Sequence, residues 1–401
     1  MAVTSASQGT LKRVLLRGWL GIGLLAAQGA GVVDDPIQSR LEALRSRAGL
    51  PALGGAIVTS EGLQEAWVTG VRAAGRDEKV LLGDRWSLAS CTKAMTATLI
   101  ALLVERGDFG WDATLPQLLP DLADSIHEGF ADVTVVDLLT HRAGIEDDME
   151  RDGVWLQCLA RGGSPSEQRR ALTRAALSWG PACPPRTKFE YSSGGVAIAG
   201  HVAESLTGKP FEALMQELLF GPLGMTTAAF GAPGCAARID EPRGHGADLR
   251  PVELGGMDGN VPAAAPAGTC MMSLQDWARF VGLHLRGAKG DVKVGDITLH
   301  AATMKKLHTP IDGPGSRYAM GWFVEESAWA KRDGIVLTHA GTNTLWFARV
   351  KLAPADGFAV LVVTNAGIER APAATEGAAT LLIRKHLQRG ARIVAKKEGE
   401  R

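Results

Sequence analysis

In the stretch LASCTKAMTATLIALLVE, Leu88 to Glu105, Ser90 and Lys93 stand three residues apart at the head of a long apolar run. A serine hydroxyl is a weak nucleophile until a neighbouring base takes its proton, and an amine one helical turn away has the reach to do so. If the apolar run is a helix, the backbone N–H of Ser90 belongs to the unpaired donors of a helix start and can help bind an oxyanion. The competing reading makes Ser90 a helix cap and Lys93 a side chain that snorkels to solvent. Against it, a lysine leading into an apolar helix must be paired or neutral if it is buried. From an ordinary pKa of about 10.4, being half neutral near pH 7 takes roughly 4 to 5 kcal/mol. Desolvation and neighbouring positive groups would have to supply it. A phenol beside Lys93 would share the proton transfer, and Tyr191, one of only two tyrosines in the chain, is the natural partner.

These residues need elements to hold them. From Cys91 to Val104 the apolar residues surround the helix instead of forming a stripe, and Gly107 ends it, which predicts a helix in the middle of a domain. Upstream, Ile37–Gly49 has helical spacing, and Ala52–Arg72 reads as two strands about a turn at Ser60–Gly62. The middle third is predicted to be mainly helical, including Pro210–Met225 with Phe211, Leu214, Met215, Leu218 and Leu219 on one face. From about residue 317 the pattern turns to strands: YAMGWFVEE, GIVLTHAG, TLWFARVKL and FAVLVVTNAG, the last two joined by the turn PADG. A closing helix is expected over Ala373–Gln388, followed by a loose charged tail at 391–401. Strands at both ends of the chain imply one sheet built from both termini, with a helical insertion between them.

With Tyr191 in RTKFEYSSGGVAIAGHVAE (Arg186–Glu204), the chain resembles the serine β-lactamase and penicillin-binding superfamily, particularly class C β-lactamases, DD-peptidases and related esterases. In that family a Tyr-x-Asn element follows the Ser-x-x-Lys element by about a hundred residues. Further matches come in family order: DLLTHRAGI, FGPLGM, AGTCMMSLQDWARF, YAMGW and HAG (His339–Gly341), the last in the slot of Lys-Thr-Gly. The resemblance covers about residues 37 to 390. It implies an α/β (α+β) β-lactamase/transpeptidase-like fold with a mainly antiparallel sheet, its sheet part at 30–89 and 300–390 and its helical part at 90–299.

The resemblance also implies roles. Ser90 would attack an acyl carbonyl while Lys93 and Tyr191 move its proton, and the oxyanion would sit between the N–H groups of Ser90 and Thr342, the residue after HAG on the edge strand. Ser193, His339 and Gly341 would line the substrate. Two positions depart from the family. Ser193 replaces asparagine with a shorter hydroxyl, which makes a substrate amide harder to hold. At the third motif His339 replaces a charged lysine and Ala340 a threonine, so grip on a substrate carboxylate should weaken and vary with pH. Both changes argue against an efficient β-lactamase.

Other chemistries find no support. Lysine plus arginine equals aspartate plus glutamate at 43 each, so no net field favours nucleic acid or an anionic membrane. Nine histidines include no HExxH or close HxH pair, so no metal is expected, and there is no GxSxG. GIGLLA (Gly21–Ala26) fits a dinucleotide fingerprint formally, but no strand precedes it, and no cofactor is expected. Cys91 on a helix points about 100° from the face shared by Ser90 and Lys93, which counts against it as nucleophile. His141 is read as structural, between helices.

Lys12, Arg13 and Arg17 precede the apolar run Trp19–Val33, the layout of a secretory signal over residues 1–29. Export to the periplasm or medium is expected, with no stable membrane insertion after signal removal. Cys158, Cys183, Cys235 and Cys270 allow up to two bridges in three pairings, leaving Cys91 free, and none is assigned. The expectation is therefore an exported serine hydrolase, domain 30–390, acting on a small ester, amide or peptide substrate. Its main rival is a degenerate binding module that kept the fold and lost turnover, and a third reading is an envelope protein held by an uncleaved N-terminus.

Overall fold

The computed structural model describes residues 36–146, 157, 160, 162–254, 261–311 and 317–399, with backbone alone from 391. The signal-like segment and Cys158 lie outside the described residues. Helix α1 (Pro36–Ala48) carries proline at its first position, where a missing N–H costs nothing, and buries Ile37 and Leu41. Strands β1 (Ala52–Thr59) and β2 (Gly62–Gly70) form the expected hairpin.

The main sheet has six antiparallel strands in the order β2-β1-β11-β10-β9-β8, with β8 (Phe323–Glu326), β9 (Ile335–Thr342), β10 (Phe347–Ala353) and β11 (Phe358–Thr364) from the C-terminal end. Antiparallel pairing of β1 with β11 joins the two ends of the chain, as the strand pattern implied. Both faces of this sheet are covered. In β11, Phe358, Val360 and Val362 pack with α1 and the last helix, while Ala359, Leu361 and Val363 pack into the larger core. That is the period of two a strand imposes, here feeding two apolar layers.

The larger core surrounds α2 (Thr92–Arg106), in which every residue from Thr92 to Leu103 is buried. Gly107 ends α2 at φ 90°, a left-handed cap where glycine carries no Cβ penalty. Between the two arms of the sheet lie α3 (Pro165–Ser178), α4 (Ser193–Thr207), α5 (Leu274–Gly287) and α6 (Ala301–His308). Two small sheets accompany them: β3 (Trp86–Ser87), β5 (Cys270–Met272) and β4 (Ala229–Phe230) in that order, and the hairpin of β6 (Val292–Val294) with β7 (Ile297–Leu299).

Three elements differ from expectation. The strand predicted over YAMGWFVEE begins only at Phe323, because Gly321 (φ 84°) turns the preceding residues against α2. A Cβ on Gly321 would lie 2.4 Å from Ala94 Cα, so no side chain fits there. The strand predicted from Thr344 begins at Phe347, since Asn343 Oδ1 accepts the N–H groups of Leu345 and Trp346 in a side-chain turn. The closing helix α7 runs Ala371–Gly399 and takes in most of the tail expected to be loose. Past Gln388 the residues are mainly alanine, lysine, arginine and glutamate, good helix formers, with no proline.

Candidate active site

Ser90 sits at the junction of β3 and α2. Leu88 donates its N–H to Cys270 O at 2.9 Å, a single 3-10 turn covers Ala89–Cys91, and α2 begins at Thr92. Ala89 adopts φ 43°, a left-handed conformation that is strained for a residue with a Cβ and directly precedes Ser90. The capping reading is not met: neither Leu88 nor Cys91, the residues at the two helix entrances, caps with its side chain, and the Ser90 hydroxyl faces Lys93.

Lys93 does not snorkel. It is 1% exposed, and its Nζ donates to Ser90 Oγ at 3.1 Å, to Ser193 Oγ at 3.2 Å and to Ala267 O at 2.9 Å. The same Nζ lies 4.9 Å from the centre of the Tyr191 ring. Three distant segments therefore meet at one amine. Ser193 is the first residue of α4, and Ser192 before it caps that helix by accepting from Gly195 N at 3.0 Å.

The HAG segment of β9 closes the other side. A Cβ on Gly341 would come 2.6 Å from Ser90 N and 2.3 Å from Leu88 O, so only glycine lets this strand lie against the start of α2. That contact brings Thr342, exposed at the end of β9, next in chain to a residue touching the Ser90 amide. β9 is second from the edge and not the edge strand as expected. Its pairing with β8 covers only Ile335–Thr338, which leaves His339–Thr342 beyond the reach of that partner.

His339 behaves differently from expectation. It is buried, and burial first and Lys93 second push its imidazole down to about 3. It is neutral throughout the neutral range, so it brings no pH-dependent charge to a substrate. A carbonyl can only accept, so Nδ1 carries the hydrogen donated to Ala340 O at 2.8 Å, and Nε2 accepts from the Tyr318 hydroxyl at 3.3 Å. Tyr318 stays a phenol, since burial first and Tyr191 second raise its pKa well above the usual value. Cys91 points the other way: its thiol contacts His339 O and Ala348 O, and burial pushes its pKa up to about 12, leaving it inert.

Two contributors were missed in sequence. The Ala267 carbonyl has no side-chain signal, although Ala267 opens the motif AGTCMM. Tyr318 had one: tyrosine is scarce enough that the argument applied to Tyr191 applies equally to it, and the two rings lie 6.3 Å apart. His141, read as structural, lies against both, with ring centres 4.4 Å from Tyr191 and 4.6 Å from Tyr318. Among the described residues no cluster of three or more His, Cys, Asp or Glu side chains is arranged to hold a metal.

A buried lysine on a central helix, a hydroxyl one turn before it, and a glycine-bearing strand pressed on the same turn define a β-lactamase/transpeptidase-like protein. The chain belongs to the beta-lactamase family, whose model matches residues 37–385. Penicillin-binding protein 4 of Amycolatopsis lactamdurans is 29% identical over 343 residues, covering 82% of this chain and 85% of that protein. Esterase EstB of Burkholderia gladioli is 31% identical over 161 residues, 36% of this chain and 38% of its own. An octameric penicillin-binding protein homologue from Pyrococcus abyssi shares the fold at a TM-score of 0.68 and 20% identity, covering 86% of this chain and 76% of that one. A β-lactamase from Sulfitobacter sp. EE-36 does so at 0.67 and 19%, covering 87% and 98%.

Proposed function

We propose that this chain is a serine hydrolase that forms an acyl-enzyme at Ser90 on carboxylic esters or amides, with weak or no β-lactamase turnover. The observation that carries this reading is the convergence on Lys93: its amine within hydrogen-bond reach of Ser90 and Ser193 and beside the Tyr191 ring. In the reaction, the Ser90 hydroxyl proton passes to Lys93 or Tyr191 as Oγ bonds to the acyl carbon. The negative charge gathers on the carbonyl oxygen, which the N–H groups of Ser90 and Thr342 would bind. Collapse of that intermediate breaks the bond to the alcohol or amine, which leaves with the proton. Water then adds to the acyl-enzyme, giving up its proton through the same pair, and the acid departs with Ser90 restored.

Substrate preference follows from the two departures. The Ser193 hydroxyl is short and already engaged by Lys93, so it holds a substrate amide less firmly than a longer amide side chain would. His339 is neutral and hydrogen-bonded at both nitrogens, so it offers no charge to a substrate carboxylate. The relatives named as a penicillin-binding protein and an esterase support this range of acyl donors. Export is part of the proposal, resting on the cationic and then apolar N-terminus; mass spectra of the native protein that retain the Met1 region would count against a cleaved signal. Among the described residues no helix is long and apolar enough to cross a membrane.

A fluorophosphonate probe tests the reaction. Labelling of wild type that disappears in Ser90→Ala is the expected result. A folded wild type that takes up neither the fluorophosphonate nor a labelled penicillin would instead favour the binding-module reading.

A further inference from the structure

His141 brackets Tyr191 in the chain. Its carbonyl accepts the N–H of Glu190 at 2.8 Å, and its Nδ1 accepts the N–H of Ser192 at 3.1 Å, so the residues on either side of Tyr191 are tied to one residue. The imidazole then lies against the Tyr191 ring at 4.4 Å between centres. We propose that His141 is a positioning residue that holds the Tyr191 phenol in register with Lys93 and Ser90, through two backbone hydrogen bonds and a ring contact. This rests on the serine-hydrolase reading above.

The backbone supports the assignment. His141 adopts φ 59°, a left-handed conformation that a residue with a Cβ keeps only when its surroundings enforce it. The same stretch is knitted further: Arg186 N donates to Arg142 O at 2.7 Å, Arg142 Nη2 to Arg186 O at 2.5 Å, and Arg186 pairs with Asp137 at 2.8 Å. Residues 141–142 and 186–192 thus form one unit that ends at the N-terminus of α4. On its other side the His141 ring meets Tyr318, whose hydroxyl reaches His339 in the HAG strand, so one imidazole lies between the second and third motifs.

The bracket demands a particular form of the side chain. Nδ1 accepts, so the ring must be neutral with its hydrogen on Nε2, and that Nε2 is buried without a hydrogen-bonding partner among the described residues. Burial first, with Lys93 and His339 adding to it, holds the pKa well below the ordinary range, which keeps the acceptor available. A protonated ring would present a donor to the Ser192 N–H and release it.

The test is a double-mutant cycle on Ser90 acylation by a p-nitrophenyl ester, with folding followed by thermal melting. His141→Ala should lower kcat by about a hundredfold with KM little changed, the scale of misplacing a catalytic group by about 1 Å. In a Tyr191→Phe background the same change should cost less than about threefold, because the phenol it positions is already gone. His141→Asn should retain activity within about tenfold of wild type, since asparagine tolerates the left-handed conformation and its carbonyl can accept from Ser192. If His141→Ala does not fold, His141→Asn with and without Tyr191→Phe makes the same comparison. Additive losses, a KM rise at constant kcat, or a folded His141→Asn as slow as Tyr191→Phe would overturn the bracket. Wild type without Ser90 labelling would overturn the hydrolase reading and this inference with it; labelled wild type with additive losses overturns this inference alone.

Discussion

Lys93, at 1% exposure, and Arg169, at 0%, are the two most deeply buried long cationic side chains among the described residues, and the protein surrounds them differently. Arg169 on α3 meets opposite charge: it pairs with Glu204 at 2.7 Å and Glu212 at 2.8 Å, and donates to Pro262 O. His201 and Ser166 complete the cluster around Glu204. Lys93, one helix away, directs hydrogen bonds to the oxygens of Ser90, Ser193 and Ala267, and His141 and His339, both held neutral by burial, stand near it. A buried charge with good counter-ions is locked into structure, whereas an amine in hydrogen-bond contact with a serine hydroxyl is placed to exchange a proton with it. On the proposed function, reactivity sits at Lys93, while the charge cluster at Arg169 serves stability.

The largest expected effect breaks the first half of that contrast. Arg169→Met leaves Glu204 and Glu212 without their shared cation and should lower unfolding stability by about 3 to 5 kcal/mol in urea titrations. The rate of Ser90 labelling per folded molecule should not change; a slowed rate in the folded fraction would mean the cluster also serves the reaction.

Next come changes around Lys93. Lys93→Ala and Tyr191→Phe should each slow acylation by about a hundredfold or more, the scale of general-base catalysis. Rates equal to wild type in both variants would end the proton-transfer role of the pair.

Acid should separate the two regions by pH window. His339 and His308 are each pushed down to about 3, mainly by burial, from an ordinary 6.5. Below 6.5 the unfolded chain takes up protons that the fold refuses, so their contribution is complete above 6.5 and lost as pH falls from there toward 3. The expected slope is about 1.4 kcal/mol per pH unit for each such histidine. Glu204 behaves in a lower window. Burial alone would raise its pKa, but His201, Arg169 and Ser166 outweigh that and lower it to about 2 from 4.5, so its contribution is lost only below about 4.5. Urea midpoints that stay flat between pH 6.5 and 5 would contradict neutral, buried histidines. His308→Gln, which keeps a partner for His284 Nδ1 now 2.8 Å from His308, should reduce that slope and leave acylation alone.

The smallest expected change is at Ser193. Replacing it with asparagine adds two N–H donors beside Lys93 and should raise the rate of labelling by a fluorescent penicillin a few-fold. Unchanged or slower labelling would remove the reason for discounting β-lactams as substrates.

Much of this was legible in the chain. The strands β9 and β11, the central helix and the turn at PADG each carry their signature in local periodicity or in a turn residue. Ser90 and Lys93 are three residues apart, so one turn of helix places them together wherever that helix goes. The misses share a cause. Ala267 acts through a backbone carbonyl, His141 makes its contacts through a carbonyl and a ring nitrogen whose hydrogen is set by its partner, and the stretch of HAG left unpaired by β8 depends on how short β8 is. None of these properties belongs to a residue letter.

What the residues alone determined, then, is the serine with its neighbouring amine, the order of the motifs, and a sheet closed by both ends of the chain, because spacing and hydrophobic period act over short distances. Only the tertiary structure decided that His339 is neutral, that His141 ties down both neighbours of Tyr191, and that Lys93 meets Ser90 and Ser193 while Arg169 meets Glu204 and Glu212. Those outcomes depend on burial and on which distant groups face each other, and desolvation is a property of the packed molecule.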